Sequence, residues 1–278
     1  VGSEMCIRDR YFAEIITGFE NAAIDNNYLV SICTAQREIE NYIRRLIAQR
    51  IDGVFIVGVP PLSDEKYHEI IFNMVEAGIR VLINGIILKD SKEISHIFVD
   101  HMTGIDKAVS YLKSMGHTHI AMVSTFGRNS NFDIRDRMFF SAMDKYLPDS
   151  PKIFVSETGI RNPDMDSSYS LTKRLLTDHP EVTAVICLND LMAYGVIQAA
   201  AYFNKSVPDE LSVIGMDDIY ISRNFNPTVT SIGFDKREYG MMAFELLYNH
   251  IKKNIVKDID IRTELYIRSS TGLAPGLK

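Results

Sequence analysis

At 278 residues the chain is longer than a single hydrophobic core usually organises, so two domains, or two lobes of one architecture, are expected. Hydrophobic residues at 46% and charged residues at 24% exclude long disorder, and no apolar run reaches the roughly 18–20 residues that a membrane span needs. A formal net charge of -6 lacks the basic footprint that phosphate neutralisation requires, so any nucleic-acid contact has to come from elsewhere.

The first ten residues, VGSEMCIRDR, lack the apolar stretch of a secretory signal and do not read as a strand. The pattern begins abruptly at Tyr11, and residues 1–10 are read as a non-native scar standing in place of a genuine first strand. From Phe12 apolar residues recur at helical spacing through Ile15, Ile16, Phe19, Ala22 and Ala23, and YLVSIC at 28–33 then reads as a strand. Helix 36–50, strand 53–58, helix 64–77 and strand 80–84 follow, with Gly78 as the stop between the last two. The alternation continues with strand 97–100, helix 103–115 ending near Gly116, strand 119–124, helix 135–145, strand 152–156 and helix 167–178. Strand 183–188, helix 190–203, strand 211–216, a late helix at 235–254 and a strand-like ELYIRSS at 264–270 complete the chain. Most of the strands are continuous apolar runs, the pattern of strands covered by helices on both faces. The expected fold is therefore α/β, with about ten strands in two doubly wound parallel-sheet lobes of five or six strands each.

Three cysteines, Cys6, Cys33 and Cys187, are odd in number, far apart and without CxxC spacing, which suggests neither a disulfide framework nor a zinc site and fits a reducing compartment. Cys33 and Cys187 sit in apolar runs and read as small buried hydrophobes. No glycine-rich phosphate loop, nucleophile elbow or HExxH pair occurs among the strands, helices and seven histidines, so no cofactor or metal is expected and a binder is favoured over a catalyst.

In open α/β sheets ligands sit beyond the carboxyl ends of the strands. Strand 183–188 runs into Asn189 and Asp190; Asn189, with donors and an acceptor, is the ligand candidate, and Asp190 is read as the cap of the following helix. Strand 211–216 ends in Asp217 and Asp218, one of which can accept hydrogen bonds from hydroxyls while the other caps a turn. Arg135 opens a helix whose apolar face is Met138, Phe139 and Ala142, which leaves a bidentate donor at the crevice edge or, in the blander reading, a solvated charge. Arg128 and Asn129 are weaker candidates of that kind, and Tyr11 and Phe12, at the start of the first helix, either stack on a ligand ring or belong to the core.

Together these segments resemble the effector-binding core of the LacI/GalR family of repressors. The resemblance lies in YFAEIITGFENAA at 11–23, RRLIAQRIDGVFIV at 44–57, VDHMTGIDKAVSYLKSMGHTHIAMVS at 99–124, the stretch from Arg135 to Met143, NDLMAYGVIQAA at 189–200, VPDELSVIGMDDIYISRNFNPTVTSI at 207–232 and RSSTG at 268–272, all in family order. It implies a fold of the periplasmic binding protein type I kind, with residues 11–99 plus 232–260 in an N-terminal lobe and 100–231 plus 261–278 in a C-terminal lobe. A sugar or similar small polar effector would lie in the cleft between lobes, and the matching positions are Tyr11, Phe12, Asn84, Arg135, Asn189 and Asp217. The resemblance further implies a cytoplasmic homodimer without a membrane partner, reaching operator DNA only through an N-terminal helix-turn-helix headpiece that is missing here. Departures from the family are Met138 in place of a frequent Gly, Phe234 in place of Gln, Asn84 in place of Asp, and Ile186 where an aromatic residue could stack. The competing reading is an extracytoplasmic solute-binding protein of a transporter, which shares the fold; an α/β enzyme would need a nucleophile or phosphate loop that is not found.

Overall fold

The structure is a computed structural model that describes residues 3–32, 39–57, 64–85, 92–124, 134–156 and 164–277, with backbone alone at 3–10, 39, 40, 42 and 64. Arg128, Asn129 and Cys33 lie outside the described residues, as does the side chain of Cys6. In chain order the elements are α1 (Ser3–Asp25), α2 (Ile39–Ala48), β1 (Gly53–Ile56), α3 (Asp64–Glu76), β2 (Arg80–Asn84), β3 (Ile94–Asp100), α4 (His101–Ser114), β4 (Ile120–Ser124), α5 (Arg135–Tyr146) and β5 (Ile153–Ser156). They continue as α6 (Met165–Asp178), β6 (Ala184–Cys187), α7 (Asp190–Tyr202), β7 (Ser212–Met216), α8 (Tyr220–Asn224), β8 (Thr230–Gly233), α9 (Lys236–Lys253), β9 (Ile259–Arg262) and β10 (Glu264–Tyr266). The chain divides into two compact units, Val1–Val99 with Asp235–Ile261 and Asp100–Phe234 with Arg262–Lys278.

Unit 1 carries a four-stranded sheet in the order β1-β2-β3-β9, with β1, β2 and β3 mutually parallel. Its core gathers Ile71, Met74, Val81, Ile83 and Ile94, where the apolar face of α3 meets the sheet. Helices α1 and α9 pack backbone to backbone: a Cβ at Gly18 would stand 2.0 Å from the carbonyl oxygen of Arg237, and one at Gly240 would stand 2.1 Å from that of Ile15. Residues 28–32, expected as a strand, are not one, and Leu29 is fully exposed. A strand exists only through a ladder partner, and the sheet ends at β1 with none of its members pairing with this segment. Unit 1 therefore has four strands among the described residues where five or six were expected.

Unit 2 carries a six-stranded sheet in the order β10-β8-β7-β6-β4-β5. Strands β4, β6 and β7 are buried along their whole length, which accounts for their unbroken apolar runs. All neighbours from β5 to β8 are parallel, but β10 pairs antiparallel with β8, with Leu265 opposite Ile232. The sheet is thus the expected parallel one with a single antiparallel strand at its edge, a combination common in doubly wound folds. The segment RSSTG is stitched into this sheet. The Ser270 hydroxyl accepts from the Thr230 N–H at 2.8 Å and donates to the Val213 carbonyl, while the Gly272 N–H donates to the Ser212 hydroxyl at 3.0 Å. His117, buried, meets the Thr183 hydroxyl through Nδ1 at 2.9 Å and the Gly272 carbonyl through Nε2 at 3.1 Å.

Candidate functional site

In unit 2 the chain passes from β4 outward to β5 and then returns to β6 on the other side of β4. That reversal is where open α/β sheets leave a crevice beyond their carboxyl ends. Arg135 is the first residue of α5, and its Nη1 donates to the Leu188 carbonyl at 3.3 Å and lies 3.8 Å from Met216 Sδ. Leu188 and Met216 immediately precede Asn189 and Asp217. The half-buried Arg135 side chain thus reaches the tips of both β6 and β7, where Asn189 and Asp217 follow.

At the β6 tip the expected roles of Asn189 and Asp190 are partly exchanged. Asn189 is the N-cap of α7: its backbone is extended and its Oδ1 accepts from the Met192 N–H at 2.8 Å. Asp190, expected to be the cap, is already helical and has no exposure to solvent. Its Oδ2 accepts from the Ile219 N–H at 2.8 Å and its Oδ1 from the Ser231 hydroxyl at 2.6 Å. Burial first, and the nearby Asp217 charge after it, push the Asp190 carboxyl up to about 7. Room for that carboxylate comes from Gly215 in β7, where a Cβ would stand 2.1 Å from Asp190 Oδ1.

The β7 tip turns through two consecutive residues with positive φ, Asp217 at 96° and Asp218 at 46°. Such conformations cost of order 1–3 kcal/mol each for residues other than glycine and persist only when the surroundings enforce them. Enforcement is visible here: the Asp217 N–H donates to the Ile232 carbonyl at 2.8 Å and the Asp218 N–H to the Ser231 hydroxyl at 3.0 Å. Asp218 itself is buried and takes Arg223 Nη2 on Oδ2 at 2.6 Å and Arg268 Nη2 on Oδ1 at 2.5 Å, so of the two aspartates it is the structural one. Asp217 stays partly exposed at the strand tip.

The remaining candidates lie in unit 1. Tyr11 and Phe12 are inside α1 rather than at its start, because the helix already runs from Ser3. Their rings meet edge to face at 5.1 Å, both are half-buried, and Lys236 Nζ lies 5.7 Å from the Tyr11 ring centroid. Asn84 is the half-buried last residue of β2 and is followed by Gly85 at a φ of 80°. Ile186 is wholly buried in β6 and belongs to the core. Sequence reasoning missed Ser231 and the true task of Asp190. The available signal was Gly215, a glycine inside an otherwise apolar strand, which marks a close approach.

Comparison with known proteins places this geometry in a family. Residues 109–271 match the family model of the periplasmic binding protein-like domain. The HTH-type transcriptional repressor PurR of Pasteurella multocida (strain Pm70) is 30% identical over 270 residues, which cover 94% of this chain and 77% of that protein. The same-named repressor of Photorhabdus laumondii subsp. laumondii is 30% identical over 275 residues, covering 94% and 76%. Among solved structures, the LacI family transcriptional regulator from Enterococcus faecium with bound ribose superposes with a TM-score of 0.80 at 24% identity, covering 96% of both chains. The LacI family transcriptional regulator CCPA from Weissella paramesenteroides with bound sucrose gives the same TM-score and identity, covering 95% of this chain and 94% of that one. The chain therefore belongs to the LacI/GalR family of transcriptional regulators and comprises that family's periplasmic-binding-protein-like, ligand-binding core.

Proposed function

We propose that this core senses a sugar or a similar small polar metabolite, held in unit 2 by Arg135, Asn189 and Asp217, with Tyr11, Phe12 and Asn84 of unit 1 as candidates from the family resemblance. Arg128 is carried as a further candidate. The observation that carries the reading is the Arg135 guanidinium lying across the ends of β6 and β7. A bidentate cationic donor, a carboxamide donor and a carboxylate acceptor, set beyond adjacent strand ends, match a molecule with several hydroxyl or ring N–H groups. Solved relatives hold ribose and sucrose, which supports this ligand class. Family membership and the repressor relatives support a transcriptional regulator over a transporter's solute binder, and no relative named here is an enzyme. As a regulator it would work in the cytoplasm as a homodimer, with its effector shifting a two-state element that operator binding also biases.

The test is a thermal-shift screen against ribose, glucose, sucrose, cellobiose and nucleobases, since selective binding raises the apparent Tm by mass action. Calorimetric titration of the best sugar into Arg135→Ala and Asp217→Ala follows. The expected result is at least tenfold weaker binding in each, the loss of about 1.4 kcal/mol or more that a removed charged hydrogen bond gives. Unchanged affinity in both variants would overturn the site, and sedimentation as a single chain with and without ligand would overturn the homodimer.

A further inference from the structure

We propose that Asp190 is a positioning residue for the effector site, whose buried carboxylate fixes the turn that presents Asp217 and ties it to the neighbouring strand tip at Asn189. The inference rests on reading Asn189 and Asp217 as effector contacts, and the experiment below separates its failure from the failure of that reading.

Three successive N–H groups of the turn are held. That of Asp217 joins the β8 backbone, that of Asp218 goes to the Ser231 hydroxyl, and that of Ile219 goes to Asp190 Oδ2. The Ser231 hydroxyl in turn donates to Asp190 Oδ1 at 2.6 Å. Asp190 thus holds one of the three bonds directly and orients the acceptor of a second. It is also the residue after Asn189, so a single side chain spaces the tips of β6 and β7. Two glycines shape the join: a Cβ at Gly215 would strike Asp190 Oδ1 at 2.1 Å, and a Cβ at Gly233 would strike the Cβ of Asp218 at 2.3 Å.

The charges around this strut give it a second property. Arg223 of α8 and Arg268 of the RSSTG segment both address Asp218. Asp190 instead faces the carboxylate of Asp217 from the turn, the Cys187 thiol from β6 and the Tyr194 phenol from α7. Burial above all, with the Asp217 charge behind it, holds its carboxyl at about 7. Any opening of the turn that admits water to Asp190 returns the carboxyl to the ordinary range near 4, so opening is favoured as pH rises. Linkage gives about a tenfold rise in the opening equilibrium between pH 6 and pH 8. Proton and effector then act on the same turn.

The test begins without any ligand. Amide hydrogen exchange at Asp218 and Ile219, corrected for intrinsic rates, is measured at pH 6 and pH 8 in the wild type, Asp190→Asn, Asp190→Ala and Gly215→Ala. In the asparagine variant Oδ1 can accept from Ile219 while Nδ2 donates to the Ser231 hydroxyl, so the bonds survive without the titration. Expected are at least tenfold loss of protection in Asp190→Ala and Gly215→Ala, retained protection in Asp190→Asn, and a pH dependence present in the wild type and absent from Asp190→Asn. Wild-type protection in the alanine variants, or a pH dependence that survives in Asp190→Asn, overturns the inference. Should the alanine variants not fold, the comparison of wild type with Asp190→Asn still decides it. Ribose and sucrose are then titrated into the same proteins, with affinity expected to fall at least tenfold in Asp190→Ala and to recover in Asp190→Asn. Equal affinity in wild type and Asp190→Ala removes the positioning role, whereas exchange behaving as expected with no sugar bound by any variant sinks only the reading of the ligand.

Discussion

Asp218 has two arginine partners, and their different exposure makes their worth separable. Its side chain is 2% exposed, that of Arg268 16% and that of Arg223 49%. Arg268 also donates Nη1 to the Val229 carbonyl at 2.6 Å and lies 5.7 Å from the Tyr266 ring centroid. Replacing Arg268 with Met keeps most of the stem but leaves a buried carboxylate short of its better-shielded partner, at a cost of about 3–5 kcal/mol. Replacing Arg223 with Met removes a pair whose cation is half in water, worth about 0–1 kcal/mol. In a unit of this size each kcal/mol moves the midpoint by roughly 2–4 °C, so Arg268→Met should lower the unit 2 transition by roughly 6–20 °C and Arg223→Met by roughly 4 °C at most. Adding Asp218→Asn to Arg268→Met removes the stranded charge and should restore roughly 1–3 kcal/mol, a coupling that differential scanning calorimetry of the four proteins in the cycle resolves. Equal midpoint losses for the two arginine variants, or strict additivity in the cycle, would refute the assignment of Asp218 as a buried anchor neutralised chiefly by Arg268.

Two pH effects of opposite sign follow from the buried groups of unit 2. The folded Asp190 carboxyl lies above its unfolded value, so folding takes up a proton and stability falls as pH rises; between pH 5 and pH 8 this amounts to roughly 2–3 kcal/mol, which Asp190→Asn should abolish in urea titrations at several pH values. Burial holds the His117 imidazole below its ordinary value, partly offset by its hydrogen bond to Gly272, so its contribution is present above about pH 6.5 and is lost as pH falls; a His117→Gln variant should lack that acid-side loss in the same titrations. In unit 1, Gly18→Ala should lower only the unit 1 transition, by about 1–3 kcal/mol, because its new methyl meets the backbone of α9 rather than a movable side chain, and calorimetry showing no change would refute the close packing of α1 on α9.

Much of this architecture is legible in the sequence because both kinds of element declare themselves. The buried strands β4, β6 and β7 are continuous apolar runs, and Gly78 and Gly116, both at positive φ, end helices as their positions suggest. What the sequence hides depends on partners. Residues 28–32 have strand composition, yet a strand is a relation between two segments and here no ladder forms. Strand β8, TSIG, is wholly buried but half polar, because the Ser231 hydroxyl serves the 217–219 turn and the Thr230 hydroxyl serves RSSTG. Composition alone could not reveal it. The terminal RSSTG, recognised as a family signature, is physically a set of small hydroxyl side chains that replace a regular ladder with side-chain bonds, and one arginine that neutralises Asp218.

The site divides along the same line. Strand ends and helix starts can be located from periodicity, so Asn189 and Asp217 are legible as the residues that follow β6 and β7, and Arg135 as the residue that opens α5. The distribution of work among adjacent residues could not be found that way, since it depends on what lies behind each strand end. Asn189 and Asp190 differ by one helical position: the first has extended backbone and caps, and the second points under the sheet tip, where Gly215 leaves space. Likewise Asp217 and Asp218 are chemically identical neighbours, and only the two arginines and the Ser231 hydroxyl make one of them an anchor. In each doublet one polar residue faces outward and one inward, so the outward pair owes its geometry to the inward pair. On the proposed site, substitutions at Asn189 and Asp217 should change effector preference, while substitutions at Asp190 and Asp218 should alter affinity for every ligand together, because they move the frame and not the contact.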